Sequence, residues 1–131
     1  MAEKLLFTGK THNTGGSDGA ARSSDGFLDL KLSHPHPPAE ELFGAAWSAC
    51  FMGAIELAAS QRKIQLPSAP TIDAEINLYN SASGFFLRAR LDVTLPGVDH
   101  QVAEELVHAA HGICPYSKAT RGNIEVTTNV L

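Results

Sequence analysis

Residues 40–60 read EELFGAAWSACFMGAIELAAS, and the reading of that stretch decides how the rest of the chain must be arranged. Phe43, Trp47, Cys50, Ala54 and Leu57 recur at helical spacing, with Leu42, Ala46, Phe51 and Met52 flanking them. A helix here is therefore apolar or small around nearly its whole circumference, which places it at the centre of a fold. Pro38, just ahead, is pre-shaped for a helix start, and Glu40 and Glu41 put negative charge where the helix macrodipole is positive. Cys50, at the middle, reads first as a small buried hydrophobe, since free cysteine is among the most buried residue types.

A chain of 131 residues is expected to form one domain over 1–131, burying about two-thirds of its unfolded surface. A nearly all-apolar helix predicts further burial against a second subunit. Ten basic against fourteen acidic side chains give 10 − 14 = −4. With no Lys/Arg cluster, nucleic acid and an anionic membrane are excluded as main partners, and a small or uncharged substrate is expected. No charged-then-apolar leader opens the sequence, and Leu42 to Ile55 reads as too short and alanine-rich to span a bilayer, so the expected location is cytoplasmic. Two cysteines are too few for a disulfide framework. In a reducing compartment such a pair suggests redox or catalytic use.

Outward from the helix, the patterns are those of short antiparallel strands. Lys4 to His12 predicts a first strand, Gly15-Gly16-Ser17-Asp18-Gly19 a turn, and Ala20 to Ser24 the return strand. After a second turn at Asp25-Gly26, Phe27 to Leu32 predicts a third strand with Leu28, Leu30 and Leu32 on its buried face. Ser33-His34-Pro35-His36-Pro37-Pro38 predicts a stiff linker, because its prolines lack donors and hold their predecessors extended. Beyond the helix, Thr71 to Tyr79 and Phe85 to Leu95 alternate around a turn at Asn80 to Gly84, a second hairpin. Asp99 is a candidate cap for a helix over His100 to Ile113 that buries Val102, Leu106, Ala109 and Ala110. Pro115 ends that helix near Cys114, and Asn123 to Val130 predicts a closing strand. His34 with His36, and His108 with His111, have no third ligand at metal-site spacing, so no metal is expected and the second pair reads as surface or interface. Gly15 to Gly19 lacks the Lys-Ser/Thr of a phosphate loop.

Burial at mid-helix raises a thiol's pKa, so Cys50 used as a nucleophile would need a cation aimed at it, itself held by a carboxylate. Arg22, Arg88, Arg90, Arg121 and Arg62 are the candidates. Arg62 lies twelve residues on, about 18 Å along a helix axis, which is too far. Arg88 and Arg90 fit a solvated strand face, and Arg121 fits a structural role bonding carbonyls or a carboxylate near the cysteine corner. Cys114, 64 positions from Cys50, stands at a helix-to-loop corner. A pair of thiols suits peroxide chemistry, in which one is oxidised to a sulfenic acid and the other condenses with it. Whether the two meet is left open by spacing alone.

ELFGAAWSACF (Glu41 to Phe51) and CPYSKATRGNIEV (Cys114 to Val126), with TGGSDG (Thr14 to Gly19) and SSDGFLDLKLS (Ser23 to Ser33), together resemble the organic hydroperoxide resistance proteins, the Ohr branch of the OsmC/Ohr superfamily. The resemblance covers essentially the whole chain. It implies an α+β fold in which antiparallel sheets wrap around central helices in an intertwined homodimer with shared active sites. It further implies a thiol peroxidase acting on organic and fatty-acid hydroperoxides, with Cys50 as peroxidatic and Cys114 as resolving cysteine. No cofactor or metal is implied, only an external dithiol reductant of the lipoyl type. The family's site glutamate falls on Glu40, and Phe43, Trp47, Phe51 and Met52 become candidates for binding an apolar substrate, although core packing accounts for them equally well. One departure is chemical: Ser17 occupies the position at which the family carries its activating arginine, and Arg22 is the nearest substitute. The loop before the helix is also shorter and richer in proline. Glu40 lies ten residues before Cys50, about 15 Å on a straight helix, so it reaches a cysteine only if the helix bends or the cysteine is the partner's. The alternative reading is a dimer of the same fold, without efficient catalysis, that binds an apolar ligand or senses oxidants.

Overall fold

A computed structural model describes residues 2–131, which divide into two compact units, the first ending at Ala39 and the second running from Glu40 to Leu131. The first is a three-stranded antiparallel sheet of β1 (Thr11–Thr14), β2 (Ala20–Ser23) and β3 (Asp29–Lys31), in that order. The turn between β1 and β2 closes with the Gly19 N–H donating to the Gly16 carbonyl at 3.0 Å. A Cβ at Gly19 would stand 2.7 Å from the Leu32 carbonyl oxygen and 2.8 Å from that of Thr14, so only glycine lets these backbones meet. Gly26 turns the chain into β3 at φ 77°.

Both outer strands are shorter than the alternation predicts. β1 begins at Thr11, not at Lys4, and β3 covers only Asp29 to Lys31. Leu28 and Leu32 are half-buried and Leu30 is 37% exposed. The expected buried face is therefore not buried within this unit, because strands of three or four residues supply too few side chains to cover it.

The second unit is built on α1 (Pro38–Gln61), whose first turn carries Glu40 and Glu41 as expected. The helix ends where Lys63 turns left-handed at φ 58° and the Ile64 N–H returns to the Ala59 carbonyl at 2.9 Å. A hairpin follows: β4 (Thr71–Ser81) pairs antiparallel with β5 (Gly84–Thr94) from Thr71↔Thr94 to Ser81↔Gly84. The strands run further toward the turn than predicted, leaving only Ala82 and Ser83 outside the pairing. Then come α2 (His100–Ile113), α3 (Pro115–Thr120) and β6 (Glu125–Val130). β6 lies parallel to β5, so the sheet order is β4-β5-β6. A parallel partner needs a crossover, and α2 with α3 provides it.

One core unites these elements. β5 buries Ala89, Leu91 and Val93 on one face, followed by Leu95. α1 contributes Trp47, Phe51, Ala54, Ile55, Ala58 and Ala59, and α2 contributes Ala103, Leu106, Val107 and Ala110. Gly44 lets α1 approach β4 closely, since a Cβ there would already touch Ile76 and Ala74 at 3.4 and 3.5 Å.

Several expectations need correction. Leu57 belongs to no buried stripe: it is 48% exposed, on the face shared with Ala46, Ala49 and Gly53. On α2, Ala103 and Val107 are buried, while Val102 and Ala109 are half-buried at the edges of that face. Asp99 caps α2 through its carbonyl, which accepts from the Ala103 N–H at 2.8 Å, and not through its side chain. α3 was not foreseen, because Pro115 was read only as a stop; proline at N1 also starts a helix. Finally, α1 is long and apolar enough to cross a bilayer by length and composition. The apolar run was taken to end at Ile55, whereas the helix continues to Gln61 and spends one face on the core.

Leu91 is fully buried between the helices and its sheet neighbours. Leu91→Ala is expected to cost about 2–5 kcal/mol of stability, by transfer and cavity formation, measured as a lowered urea midpoint at fixed protein concentration.

Candidate active site

Cys50 sits at the edge of the buried face of α1. Trp47 and Phe51 on one side of it are buried, Ala46, Ala49 and Gly53 on the other are exposed, and Cys50 itself is intermediate. Cys114 reaches the same place from the opposite end of the unit. It is the last residue of α2's final turn, its N–H donating to the Ala110 carbonyl at 2.8 Å. It cannot continue the helix, because a following proline disfavours helical geometry, and it adopts φ −63°, ψ 119°. That corner turns the chain into α3 and leaves the Cys114 side chain fully buried.

The two sulfurs lie 3.3 Å apart, the Cys114 thiol donating to Cys50 Sγ, and both cysteines are free thiols. A disulfide needs about 2.05 Å between sulfurs, so a shift of little more than an ångström would join them.

As it stands, Cys50 is a weak nucleophile. Burial pushes its pKa above the ordinary thiol value, and the hydrogen bond with Cys114 pushes the same way. The Tyr116 backbone N–H, in the first turn of α3, acts in the opposite direction by bonding to the sulfur. The net direction is upward, so an activating cation is still required.

The arginines are placed as follows. Arg88 bonds Glu125 at 3.0 Å and stacks 4.7 Å above the Tyr79 ring, and Arg90 pairs with Asp92 at 3.0 Å, both on the exposed side of the sheet. Arg121 donates from Nη2 to the His111 carbonyl at 2.6 Å, the carbonyl-bonding role expected of it at the cysteine corner. Arg22, in the first unit, pairs with Asp29 at 3.1 Å across β2 and β3, with both side chains about two-thirds exposed. A pair so exposed is worth less than about 1 kcal/mol, so Arg22 is not held tightly by it.

Glu40 is half-buried in the first turn of α1, which runs unbroken through Cys50. The helix does not end or restart between them, so the two remain about 15 Å apart along its axis. Glu40 lines a groove of about 500 Å³ with Gly44, Ser48, Met52, Ile72 and Ile76. Met52 is thus on a different side of the helix from Cys50, about 200° around it. Trp47 and Phe51 are core residues at 1% and 0% exposure, and Phe43, half-buried, meets Trp47 edge-on at 5.8 Å. Among the described residues no cluster of His, Cys, Asp or Glu could hold a metal ion.

Of the two histidines read as surface or interface, His108 is exposed, whereas His111 is half-buried, with Nδ1 3.0 Å from Ser117 Oγ and Nε2 2.9 Å from Thr128 Oγ1, its ring against Phe51 at 4.5 Å. Trp47 Nε1 donates to the same Ser117 Oγ at 3.2 Å. Burial first, then the charges of Arg121 and His108, lower the His111 pKa and favour the neutral ring. The available signal was the placement of His111 and Ser117 three residues either side of Cys114, which across a helix–corner–helix brings both to one side.

Comparison with known proteins agrees with this architecture. Residues 32–129 match the family model described as OsmC-like protein. The chain is 42% identical over 134 residues to the organic hydroperoxide resistance protein of Xanthomonas axonopodis pv. citri (strain 306), covering 95% of this chain and 94% of that one. It is 40% identical to OhrB of Bacillus subtilis (strain 168), covering 92% and 95%. The crystal structure of B. subtilis OhrB superimposes with a TM-score of 0.85 over 97% of this chain and all of that one, at 38% identity. The organic hydroperoxide resistance protein of Elizabethkingia anophelis, crystallised with thiocyanate, gives 0.87 at 36% identity, over 98% of both chains. By sequence along nearly its whole length and by fold, this chain belongs to the OsmC-like family, in its organic hydroperoxide resistance branch.

Proposed function

We propose that this protein is a cysteine-based peroxidase that reduces organic hydroperoxides, including those of fatty acids, in defence against oxidative stress. The observation that carries the reading is the 3.3 Å approach of Cys50 Sγ to Cys114 Sγ. The names of its relatives support the class of substrate. In the proposed cycle the Cys50 thiol ionises, its thiolate attacks the terminal oxygen of ROOH, the O–O bond breaks, and the departing alkoxide takes up a proton equivalent to the one the thiol released, so the products are Cys50 sulfenic acid and ROH. The Cys114 thiol then displaces water to give the Cys50–Cys114 disulfide, and an external dithiol of the lipoyl type returns both to thiols. Cys50, at the margin of the exposed face, is the thiol that peroxide can reach. Cys114, fully buried, is protected from direct oxidation.

The missing component is a positive charge at Cys50. In this proposal residues 1–131 act as one OsmC/Ohr-like domain within a homodimer, whose second subunit covers the exposed apolar face of α1. Glu40 is too far along α1 to serve its own Cys50, so Glu40 and Arg22 serve the cysteine of the partner subunit. The loosely held Arg22 would then supply the charge that Ser17 cannot.

A second reading is a dimer that binds an apolar ligand or senses oxidants without efficient turnover. Ser17 in place of the family's arginine, together with the raised pKa of Cys50, favours it.

Steady-state assays with cumene hydroperoxide and dihydrolipoamide separate the two. Turnover is expected in the native chain, abolished in Cys50→Ser and, for dihydrolipoamide-supported cycling, strongly reduced in Cys114→Ser. A native chain that stays reduced after peroxide would give the second reading precedence. Arg22→Ala is expected to slow Cys50 oxidation by about two orders of magnitude with little change in stability; an unchanged rate removes Arg22 from the mechanism.

The pH dependence follows from the upward shift of Cys50. Because only the thiolate reacts, carbamidomethylation of reduced Arg22→Ala protein at Cys50 should rise about tenfold per pH unit through neutrality and continue rising beyond the ordinary thiol pKa. In the native dimer the supplied charge should move that rise to lower pH. Mass spectrometry of quenched samples reads both profiles.

A further inference from the structure

His111, Ser117, Trp47 and Thr128 form a linked polar group on the elements that carry the two thiols, and neither the fold nor the proposed cycle has used it. Cys114 lies midway between His111 on α2 and Ser117 on α3, three residues from each. With Pro115 rigid in φ, the backbone at Cys114 is where the corner can flex. The hydrogen bond between His111 Nδ1 and Ser117 Oγ, 3.0 Å, spans that corner. Arg121 adds a second strap from α3's end back to the His111 carbonyl.

The closed corner is fastened at two further points. Trp47 Nε1 donates to Ser117 Oγ at 3.2 Å, and Trp47 is one helical turn before Cys50 on α1. His111 Nε2 meets Thr128 Oγ1 at 2.9 Å, which ties the corner to β6 and through it to the sheet. A continuous path of contacts therefore runs from Cys50 along one turn of α1 to Trp47, across to Ser117 and back along α3 to Cys114. Trp47 donates to Ser117; with the neutral ring protonated at Nε2, Ser117 donates to His111 Nδ1 and His111 Nε2–H donates to Thr128. That assignment uses each donor once and fits a neutral ring, and among the described residues no buried side-chain polar atom is left without a partner.

We propose that His111, acting through Ser117, is a positioning residue for the resolving thiol: it holds the Cys114 corner against α1 so that Cys114 Sγ meets oxidised Cys50. The inference rests on the peroxidase reading and adds a separate requirement to it. The step affected is Cys50–SOH + Cys114–SH → Cys50–S–S–Cys114 + H₂O, in which one S–S bond forms, the sulfenic S–O bond breaks, and the thiol proton leaves with the hydroxyl as water. The preceding attack on hydroperoxide does not use Cys114 as a reactant; the corner bears on it only through the Cys114 and Tyr116 bonds to the Cys50 sulfur, which act in opposite directions on its pKa.

Single-turnover oxidation of the full-length protein by one equivalent of cumene hydroperoxide tests this, with sulfenic acid trapped by dimedone and each oxidation state of Cys50 resolved by mass spectrometry. In Ser117→Ala the first oxidation should remain within about twofold of native, while disulfide formation slows by about tenfold or more, as misplacement of a reacting atom does. With excess peroxide, Cys50 sulfinic acid should then accumulate where the native chain gives disulfide. Ser117→Thr, which keeps the hydroxyl, should resolve like the native chain. Thr128→Val, which removes only the outer fastening and leaves the Trp47 bond, should show the same selective slowing to a smaller extent. Resolution at the native rate in both Ser117→Ala and Thr128→Val would overturn the inference. So would an equal loss in both steps that Ser117→Thr does not restore, since that is loss of structure and not of positioning. A native chain that forms neither sulfenic acid nor disulfide would overturn the peroxidase reading itself, and the inference with it.

Discussion

The geometry of this protein depends on one backbone constraint, the exclusion of helical conformation at Cys114 by Pro115. Without it α2 would continue, and the second thiol would be carried around and along the helix. With it the chain turns through an extended residue and restarts as α3, and Cys114 is left fully buried 3.3 Å from Cys50. The restart itself is natural, since proline is well suited to the first position of a helix. A single residue type thus ends one helix, begins the next, and presents the thiol between them.

The position of Cys50 reflects two opposed requirements. A thiol deep in the core would be inert, and one on an open surface would be exposed to indiscriminate oxidation. Cys50 stands at the border between the buried and exposed faces of α1, where burial raises its pKa and the Tyr116 N–H partly offsets the rise. The net direction leaves Cys50 with a pKa above the ordinary thiol value. The hydrogen bonds that join Trp47, His111, Ser117 and Thr128 run between uncharged groups.

Much of the second unit could be read from the chain. α1, α2 and the long hairpin followed from periodicity, Pro38, Glu40 and Glu41 marked the helix start, and Pro115 marked the end of α2. The first unit was less legible. Its strands are so short that alternation over Lys4 to His12 or Phe27 to Leu32 says little about which residues pair, and Leu30, on the face expected to be buried, is 37% exposed. α3 was missed because a six-residue helix carries almost no periodic signal. Leu57 was assigned to the core because an alanine-rich helix looks apolar on every side, so its sequence does not say which side faces the sheet.

The same distinction holds at the site. The chain alone named the chemically capable side chains: two cysteines in motifs that resemble those of the family, and a glutamate at the helix start. It also determined the local corner at Cys114, because a proline acts on its immediate neighbour. Packing alone establishes that the thiols meet, that Trp47 and Phe51 are core, and that His111 is held between Ser117 and Thr128. Those relations join residues between 6 and 70 positions apart, and they are set by how helices and sheet pack against one another, which a pattern read along one strand or helix does not contain.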